Sequence, residues 1–321
     1  MHTTLTIGIP TFNRKEQIIE RLTELSNVAL HENIFVLIID NASPDGSYDA
    51  LTTIRSGLHP DLQQRTTIKM NDGNLGYAGN FFRLITECKT DYILFTSDED
   101  RVIIENTIDL LSLLESESPV FVRGLGSNGR GGTIGRPLTK PMEPSEFFVT
   151  TNYISGLCYD VKAAQSRIEE IRTRANSCSA AALYPQILLV ASLMVEGCAW
   201  WFGKALYERS GRERNLIVDP HEKEEDDFVQ FRWKQLPSRW RQFTGTLDYL
   251  RFLAKTHIGE QNAKFIESMT ASYEKTLYRR LRSAVGIERP ELVSCLDSSA
   301  RARVCNRIRR FFGRIIKSNS R

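Results

Sequence analysis

LTIGIPTFNRKEQIIERLTELSNVALHENIFVLIIDNAS, residues 5–43, decides the fold. Two short runs of aliphatic and β-branched residues, LTIGI (5–9) and IFVLII (34–39), bracket KEQIIERLTELSNVAL, whose apolar residues recur at helical spacing. A strand that is apolar at nearly every position is covered on both faces. A helix between two such strands brings the chain back to lay them parallel. Outward from this βαβ unit the rhythm persists: a polar turn at 41–46, a helix to about 55, a short strand at 67–69, a helix over 76–88 and a strand at 92–95. A helix (105–114) and a strand (120–122) follow. Then comes RGLGSNGRGGTIGRP (123–137), with six glycines in 15 residues, which reads as a loop. It fits neither the phosphate loop G-x-x-x-x-G-K-[ST] nor a G-x-G-x-x-G between strand and helix. The pattern resumes with a strand at 153–159, a helix, a second helix at 185–196 and a strand at 199–202, and it turns helical and amphipathic beyond about 236. Alternating strands and helices predict an α/β fold with a mainly parallel sheet flanked by helices and a helical C-terminal extension.

At 321 residues, with 41% hydrophobic and 25% charged residues, the chain has the composition of an ordinary globular protein. Six cysteines show neither a C-x-x-C nor a metal-like spacing, and we read them as reduced thiols. The N-terminal MHTTLTIGIPTFNRKEQ has no charged leader followed by an apolar core, so the expectation is a protein retained in the cytoplasm. The apolar stretch 187–206 is interrupted by Glu196, Gly197 and Lys204 and reads as a buried helix running into a strand, not a membrane span. A net charge of only +3 argues against a nucleic-acid partner. That charge is unevenly spread: residues 301–321 hold eight Lys and Arg and no Asp or Glu, leaving the first 300 residues at −5.

Four features stand where the strands should end: Pro10-Thr11-Phe12-Asn13-Arg14, Asp40-Asn41-Ala42-Ser43, Asn74-Leu75-Gly76-Tyr77-Ala78-Gly79-Asn80 and Asp98-Glu99-Asp100. Ligands of parallel α/β sheets bind beyond the carboxyl ends of the strands. Three adjacent carboxylates repel one another unless something positive sits among them, and an isolated Asp-x-Asp is more often a solvated acidic turn. In this order and spacing, however, the four features closely resemble the family 2 glycosyltransferases of the GT-A fold, whose sheet is Rossmann-like. The resemblance is specific over about residues 4–104, weaker to about 206 and absent beyond.

That resemblance implies a nucleotide diphosphate sugar as donor. Pro10, Thr11, Asn13, Arg14, Asp40, Asn74, Gly76, Asn80 and Asp98 become the donor-binding residues. Asp40 would read the base beside the Pro10-Thr11 backbone, and Gly76 would let base and ribose approach closely. Many relatives carry Arg where this chain has Gly79, so the cationic contact to phosphate falls to Arg14 or Arg83. Mg²⁺ or Mn²⁺ is a hard, oxygen-seeking cation held by one or two carboxylates together with substrate phosphates. By resemblance Asp100 is its direct ligand, Asp98 faces the ribose or the metal through water, and Glu99 is the variable middle residue. Such a cation relieves the carboxylate repulsion and neutralises charge on the departing diphosphate.

The pattern breaks at the base. Inverting transfer requires the acceptor hydroxyl to lose a proton, usually to a carboxylate. Relatives commonly place Glu-Asp about 12 residues before a glycine that leads into a strand; counting back from Gly197 gives Pro185 and Gln186. Tyr153-Ile154-Ser155-Gly156 and the Asp40–Ser43 turn resemble a subset acting on bacterial surface polysaccharides, the abequosyltransferase-like and rhamnosyltransferase-like members. The base candidates are then Asp219, His221 and Glu222 in VDPHEKEEDDF, with His221 alternatively a metal ligand and an exposed acidic helix start as the plain reading.

The reading divides the chain into a nucleotide-sugar-binding half (1–104), an acceptor-binding half of the same domain (105–236) and a helical region (237–321). In the last segment Val304, Ile308, Phe311, Phe312, Ile315 and Ile316 fall on one helical face among arginines. A basic amphipathic helix over 301–317 suggests a membrane-surface contact, and a helix docked on the protein's own acidic body, or an oligomer contact, is the alternative. The expected activity is metal-dependent, inverting transfer of a sugar to a bacterial surface glycan of O-antigen or capsule type, with a lipid-linked acceptor at the cytoplasmic face of the cell membrane. The rivals are a catalytically silent GT-A-like glycan-binding or scaffold protein and a sugar nucleotidyltransferase. The Gly-rich signature that a nucleotidyltransferase carries after its first strand is absent, with IPTFNR in its place.

Overall fold

The computed structural model describes residues 2–127, 138–147, 153–175, 184–209, 236–257 and 259–288. The elements, in chain order, are β1 (Leu5–Thr11), α1 (Lys15–Ser26), β2 (Ile34–Asp40), α2 (Ser47–Ser56), α3 (Pro60–Arg65), β3 (Thr66–Met70), α4 (Gly76–Glu87), β4 (Tyr92–Phe95), β5 (Arg101–Val102), α5 (Glu105–Glu117), β6 (Phe121–Gly126), β7 (Lys140–Pro141), β8 (Leu157–Asp160), α6 (Val161–Ala175), α7 (Pro185–Glu196), β9 (Ala199–Glu208), α8 (Leu236–Thr256) and α9 (Glu260–Glu288). The chain forms two compact units. The first comprises residues 1–142, 151–170 and 196–212, and the second 143–150, 171–195 and 213–321.

The first unit holds a nine-stranded sheet in the order β3-β2-β1-β4-β8-β6-β9-β5, with β7 paired to β9. The β3-β2-β1-β4 half is entirely parallel, as the opening βαβ unit predicts. Beyond β4 the sheet is mixed: β8 runs antiparallel to both β4 and β6, while β9 is parallel to β6. Leu5, Ile7 and Ile9 of β1 and Val36 and Ile38 of β2 bury their side chains in one cluster with Ile18 and Leu22 of α1 and Leu110 and Leu114 of α5. An aromatic cluster is also buried. Phe81 of α4 stacks on Phe95 of β4 with ring centroids 4.7 Å apart, and Tyr159 of β8 meets Phe95 edge-on at 5.8 Å and Phe121 at 5.2 Å.

Two sequence readings change. The glycine-rich segment does not become a loop at Arg123, because β6 continues to Gly126. Its glycines admit large neighbours: a Cβ on Gly124 would fall 2.2 Å from Leu206 Cδ1, and one on Gly126 2.9 Å from the Tyr207 ring. The strand expected over 153–159 is instead a turn followed by β8. Gly156 has φ +83°, a left-handed conformation that ends any extended run, and a Cβ there would lie 2.7 Å from the Gly124 carbonyl oxygen.

In the second unit α8 and α9 pack on each other. The turn 144–147 lies against α9 through Phe147 and Tyr273, and the Arg174 guanidinium sits 3.3 Å above the Phe252 ring. Among the described residues no helix is long and apolar enough to cross a membrane, and Cys88, Cys158 and Cys198 are free thiols. Phe95 is fully buried between two aromatic partners. Phe95→Ala is therefore expected to lower unfolding free energy by about 3–5 kcal/mol, read as a lower urea midpoint at unchanged slope.

Candidate functional site

The four strand-end features converge at the carboxyl ends of β1, β2, β3 and β4, which lie side by side in the order β3-β2-β1-β4. Thr11 closes β1 opposite Asp40, the last residue of β2, and the Asn41 N–H donates to the Thr11 carbonyl at 2.9 Å. Past β1 the chain turns through Asn13 at φ +54°, whose N–H donates to Ser43 Oγ at 2.8 Å. The Lys15 N–H, among the unpaired donors of the first turn of α1, is taken by Asp45 Oδ2 at 2.9 Å. The loops after β1 and β2 are thereby bound to each other.

Between the loops after β2 and β3 lies a set of side-chain amides. Asn41 Nδ2 donates to Asn74 Oδ1 at 2.7 Å, and Asn71 Nδ2 donates to Asn41 Oδ1 at 2.8 Å and Asn80 Oδ1 at 3.0 Å. Asn80 Nδ2 reaches the Ile39 carbonyl at 3.2 Å, and Asn74 Oδ1 caps the Gly76 N–H at 2.8 Å. Asn74 and Asn80, two of the donor-binding residues that the resemblance implies, hold this loop together. Asn71, buried and central to the set, escaped the sequence reading because nothing in MND marks it. Gly76 has φ +68° and open space where a Cβ would stand, as close approach of a ligand requires. Gly79 has a different cause: a Cβ there would meet the Leu75 Cβ at 2.5 Å, so Leu75 takes the space that a side chain at position 79 would need.

Asp40 is fully buried, and burial raises its carboxyl above the usual range. Ser43 donates to it through both hydroxyl and N–H. In this state the carboxylate holds its own turn, with Oδ1 taken by the Ser43 hydroxyl.

The carboxylate run follows β4. Asp98 and Asp100 are buried, and the positive group among the three acids is Arg14, which pairs with Glu99 and brings Nε to 4.0 Å from Asp98 Oδ1. Arg83 is paired with Glu87, away from this run. Thr11 Oγ1 donates to Asp98 Oδ2 at 2.9 Å. Even so, burial pushes the Asp98 carboxyl up to about 6, with the Asp100 charge adding to the rise and Arg14, Thr11 and Ser97 opposing it. Asp100 is held from the other side by the Ser155 hydroxyl at 2.6 Å and the Tyr153 hydroxyl. A cavity of about 220 Å³ reaches Asp100 from the α1 side, lined also by Ile9, Arg21, Glu24 and Thr96. The carboxylate oxygens of Asp98 and Asp100 are hard, buried and adjacent, which fits a small divalent cation.

The base candidates Asp219, His221 and Glu222 lie outside the described residues, as does the basic segment 301–317. Pro185 and Gln186, the positions reached by counting back from Gly197, open α7 and are buried.

The sheet order and its strand-end site define a GT-A glycosyltransferase fold, and solved structures carry the same one. The S. aureus TarS fragment 1–349 in complex with UDP-GlcNAc is similar over 99% of this chain and 90% of its own, at 13% identity and a TM-score of 0.60. The mannosyltransferase PcManGT from Pyrobaculum calidifontis, in complex with GDP-Man and Mn²⁺, is similar over 99% and 87% of the two chains, at 11% identity and a TM-score of 0.53. The family model for glycosyl transferase family 2 matches residues 6–170, and the chain belongs to that family. Abequosyltransferase RfbV of Salmonella typhimurium is 28% identical over 116 residues, which span 36% of this chain and only a third (33%) of that protein.

The Asp98 carboxyl rises from an ordinary 3.8 to about 6, so the folded protein holds more protons than the unfolded chain between those values. Its contribution is fully favourable below about pH 4 and is lost as pH rises through about 6. In metal-free buffer Asp98→Asn is expected to be more stable than wild type by about 2 kcal/mol at pH 8 and to lose that advantage by pH 4, read from urea midpoints across pH.

Proposed function

We propose that this family 2 enzyme is an inverting, metal-dependent glycosyltransferase that moves one sugar from a nucleoside diphosphate donor to a bacterial surface glycan. The observation that carries the reading is the pair of buried carboxylates Asp98 and Asp100 beyond β4, beside Thr11 and Arg14. The PcManGT complex with Mn²⁺ and GDP-Man and the TarS complex with UDP-GlcNAc lend support through a shared fold, and the similarity to an abequosyltransferase lends support to sugar transfer.

In this reading Asp100 and Asp98 would hold Mg²⁺ or Mn²⁺ together with the donor phosphates. The bound cation supplies charge neutralisation for the departing diphosphate. Arg14, now spent on Glu99 and Asp98, turns to the phosphates. Thr11 keeps Asp98 oriented, and the Pro10-Thr11 backbone, Asn13 and Asp40 line the base side, with Asp40 exchanging Ser43 for the base. Gly76 leaves room for base and ribose while Asn74 and Asn80 fix the loop that carries it. One of Asp219, His221 and Glu222 accepts the proton of the attacking acceptor hydroxyl.

Calorimetric titration of UDP-, dTDP- and GDP-sugars with and without Mn²⁺ tests the donor half. We expect metal-dependent binding that Asp100→Ala weakens at least about 100-fold, and the absence of nucleotide binding under every condition would defeat the proposal. A non-catalytic, glycan-binding role is favoured only by Pro185 and Gln186 at the start of α7. Slow donor hydrolysis by the same samples would exclude it.

We place the enzyme at the cytoplasmic face of the membrane, with a lipid-linked acceptor, through the basic face of 301–317. Each Lys or Arg near an anionic surface contributes about 1 kcal/mol, so four of the seven in 301–317 would hold the enzyme there. The full chain should float with anionic liposomes and a 1–298 truncation should not; equal flotation would sink the membrane assignment.

A further inference from the structure

Arg123 is a buried arginine in the middle of a strand, a costly place for a guanidinium, and burial pulls its ionisation below the arginine range. Its partners among the described residues are neutral. Nη1 donates to the Ser155 carbonyl at 2.7 Å and the Tyr153 carbonyl at 3.1 Å, and the side chain also bonds the Tyr207 hydroxyl. A guanidinium that meets two carbonyls of one turn and also the Tyr207 hydroxyl spans more than a lysine ammonium does.

The gripped turn holds the carboxylate run. Ser155 Oγ accepts from the Ser97 N–H at 2.8 Å and donates to Asp100 Oδ2 at 2.6 Å, so one hydroxyl fastens both ends of the segment 97–100. The Tyr153 hydroxyl donates to the same carboxylate, its acidity pushed down by burial and by the Asp100 charge to a pKa of about 12. Tyr153 is itself steadied by the Arg209 guanidinium, 4.2 Å from its ring centroid, and by the Tyr207 ring at 5.8 Å. Gly156 ties the turn to both neighbouring strands, its N–H donating to the Phe95 carbonyl at 2.9 Å and its carbonyl accepting from Gly124 N–H at 2.7 Å.

We propose that Arg123, through the Tyr153 and Ser155 hydroxyls, is a positioning residue that fixes the Asp100 carboxylate in the orientation a divalent cation requires. Carboxylates that ligate a metal bind more tightly when their orientation is set beforehand by hydrogen bonds. Tyr153 and Ser155 thereby serve the donor side of the site. The proposal rests on the reading of Asp100 as a metal ligand.

Mn²⁺ binding by the full-length protein, followed by the electron paramagnetic resonance of free Mn²⁺ in the presence of UDP, GDP, CDP or dTDP, tests it. Tyr153→Phe, Ser155→Ala and Arg123→Met are compared with wild type. We expect Tyr153→Phe and Ser155→Ala each to weaken Mn²⁺ about 10- to 100-fold, while melting stays cooperative and KM for donor at saturating Mn²⁺ changes little. Arg123→Lys should restore less than half of the affinity lost in Arg123→Met. If wild type binds Mn²⁺ with a nucleotide and the two hydroxyl variants bind it equally well, the positioning role is overturned and the metal reading stands. Should wild type bind no Mn²⁺ with any of the four nucleotides, both fall. Failure of Arg123→Met to fold leaves the decision to the hydroxyl variants, which alter no packing volume beyond one oxygen.

Discussion

Keeping Asp98 and Asp100 out of water at the end of β4 is the constraint around which the first unit is arranged. A buried carboxylate needs hydrogen bonds or a cation, and two of them side by side need both. The chain meets the need from three directions. Thr11 arrives from β1, Arg14 from the entrance to α1, and Ser155 and Tyr153 from the turn before β8. These suppliers are separated by more than a hundred residues, and the strand order β1-β4-β8 makes them neighbours. The supply is unequal: Asp98 remains short of compensation, which its raised pKa records.

The parallel half of the sheet was legible because its information is local. Strands apolar at every position and helices with a clear period, separated by short polar turns, permit few topologies. The antiparallel insertion of β8 between β4 and β6 carries no such signature, since a four-residue strand reads the same in either direction. Arg123 was misread for a related reason. Glycines at 124 and 126 suggest a loop by composition, yet each is present because Leu206 or Tyr207 fills the space of a side chain. Composition does not reveal which neighbour a glycine makes room for.

The site was legible in outline, and its internal hydrogen bonds were not. The acids of the carboxylate run and the strand-end Asp40 were visible as polar residues ending apolar runs. What each side chain does depends on partners far along the chain: Asn74 and Asn80 bond other amides and backbone groups, and Asp40 bonds Ser43. The serine of the Tyr153–Gly156 turn shows the same limit, because its partners Ser97 and Asp100 lie more than fifty residues away.

The amides of Asn41, Asn71, Asn74 and Asn80 carry a further consequence. They join the loops after β2 and β3 through directional bonds between groups that have no net charge and take up no proton across the biological range. The Asp98 carboxyl beyond β4 takes up a proton as pH falls through about 6, whereas these amides take up none. The protein thus separates its compliance from its shape: charge beyond β4 can be rewritten by a ligand, an ion or a proton, and the neighbouring loops that would cradle a nucleotide keep their spacing throughout.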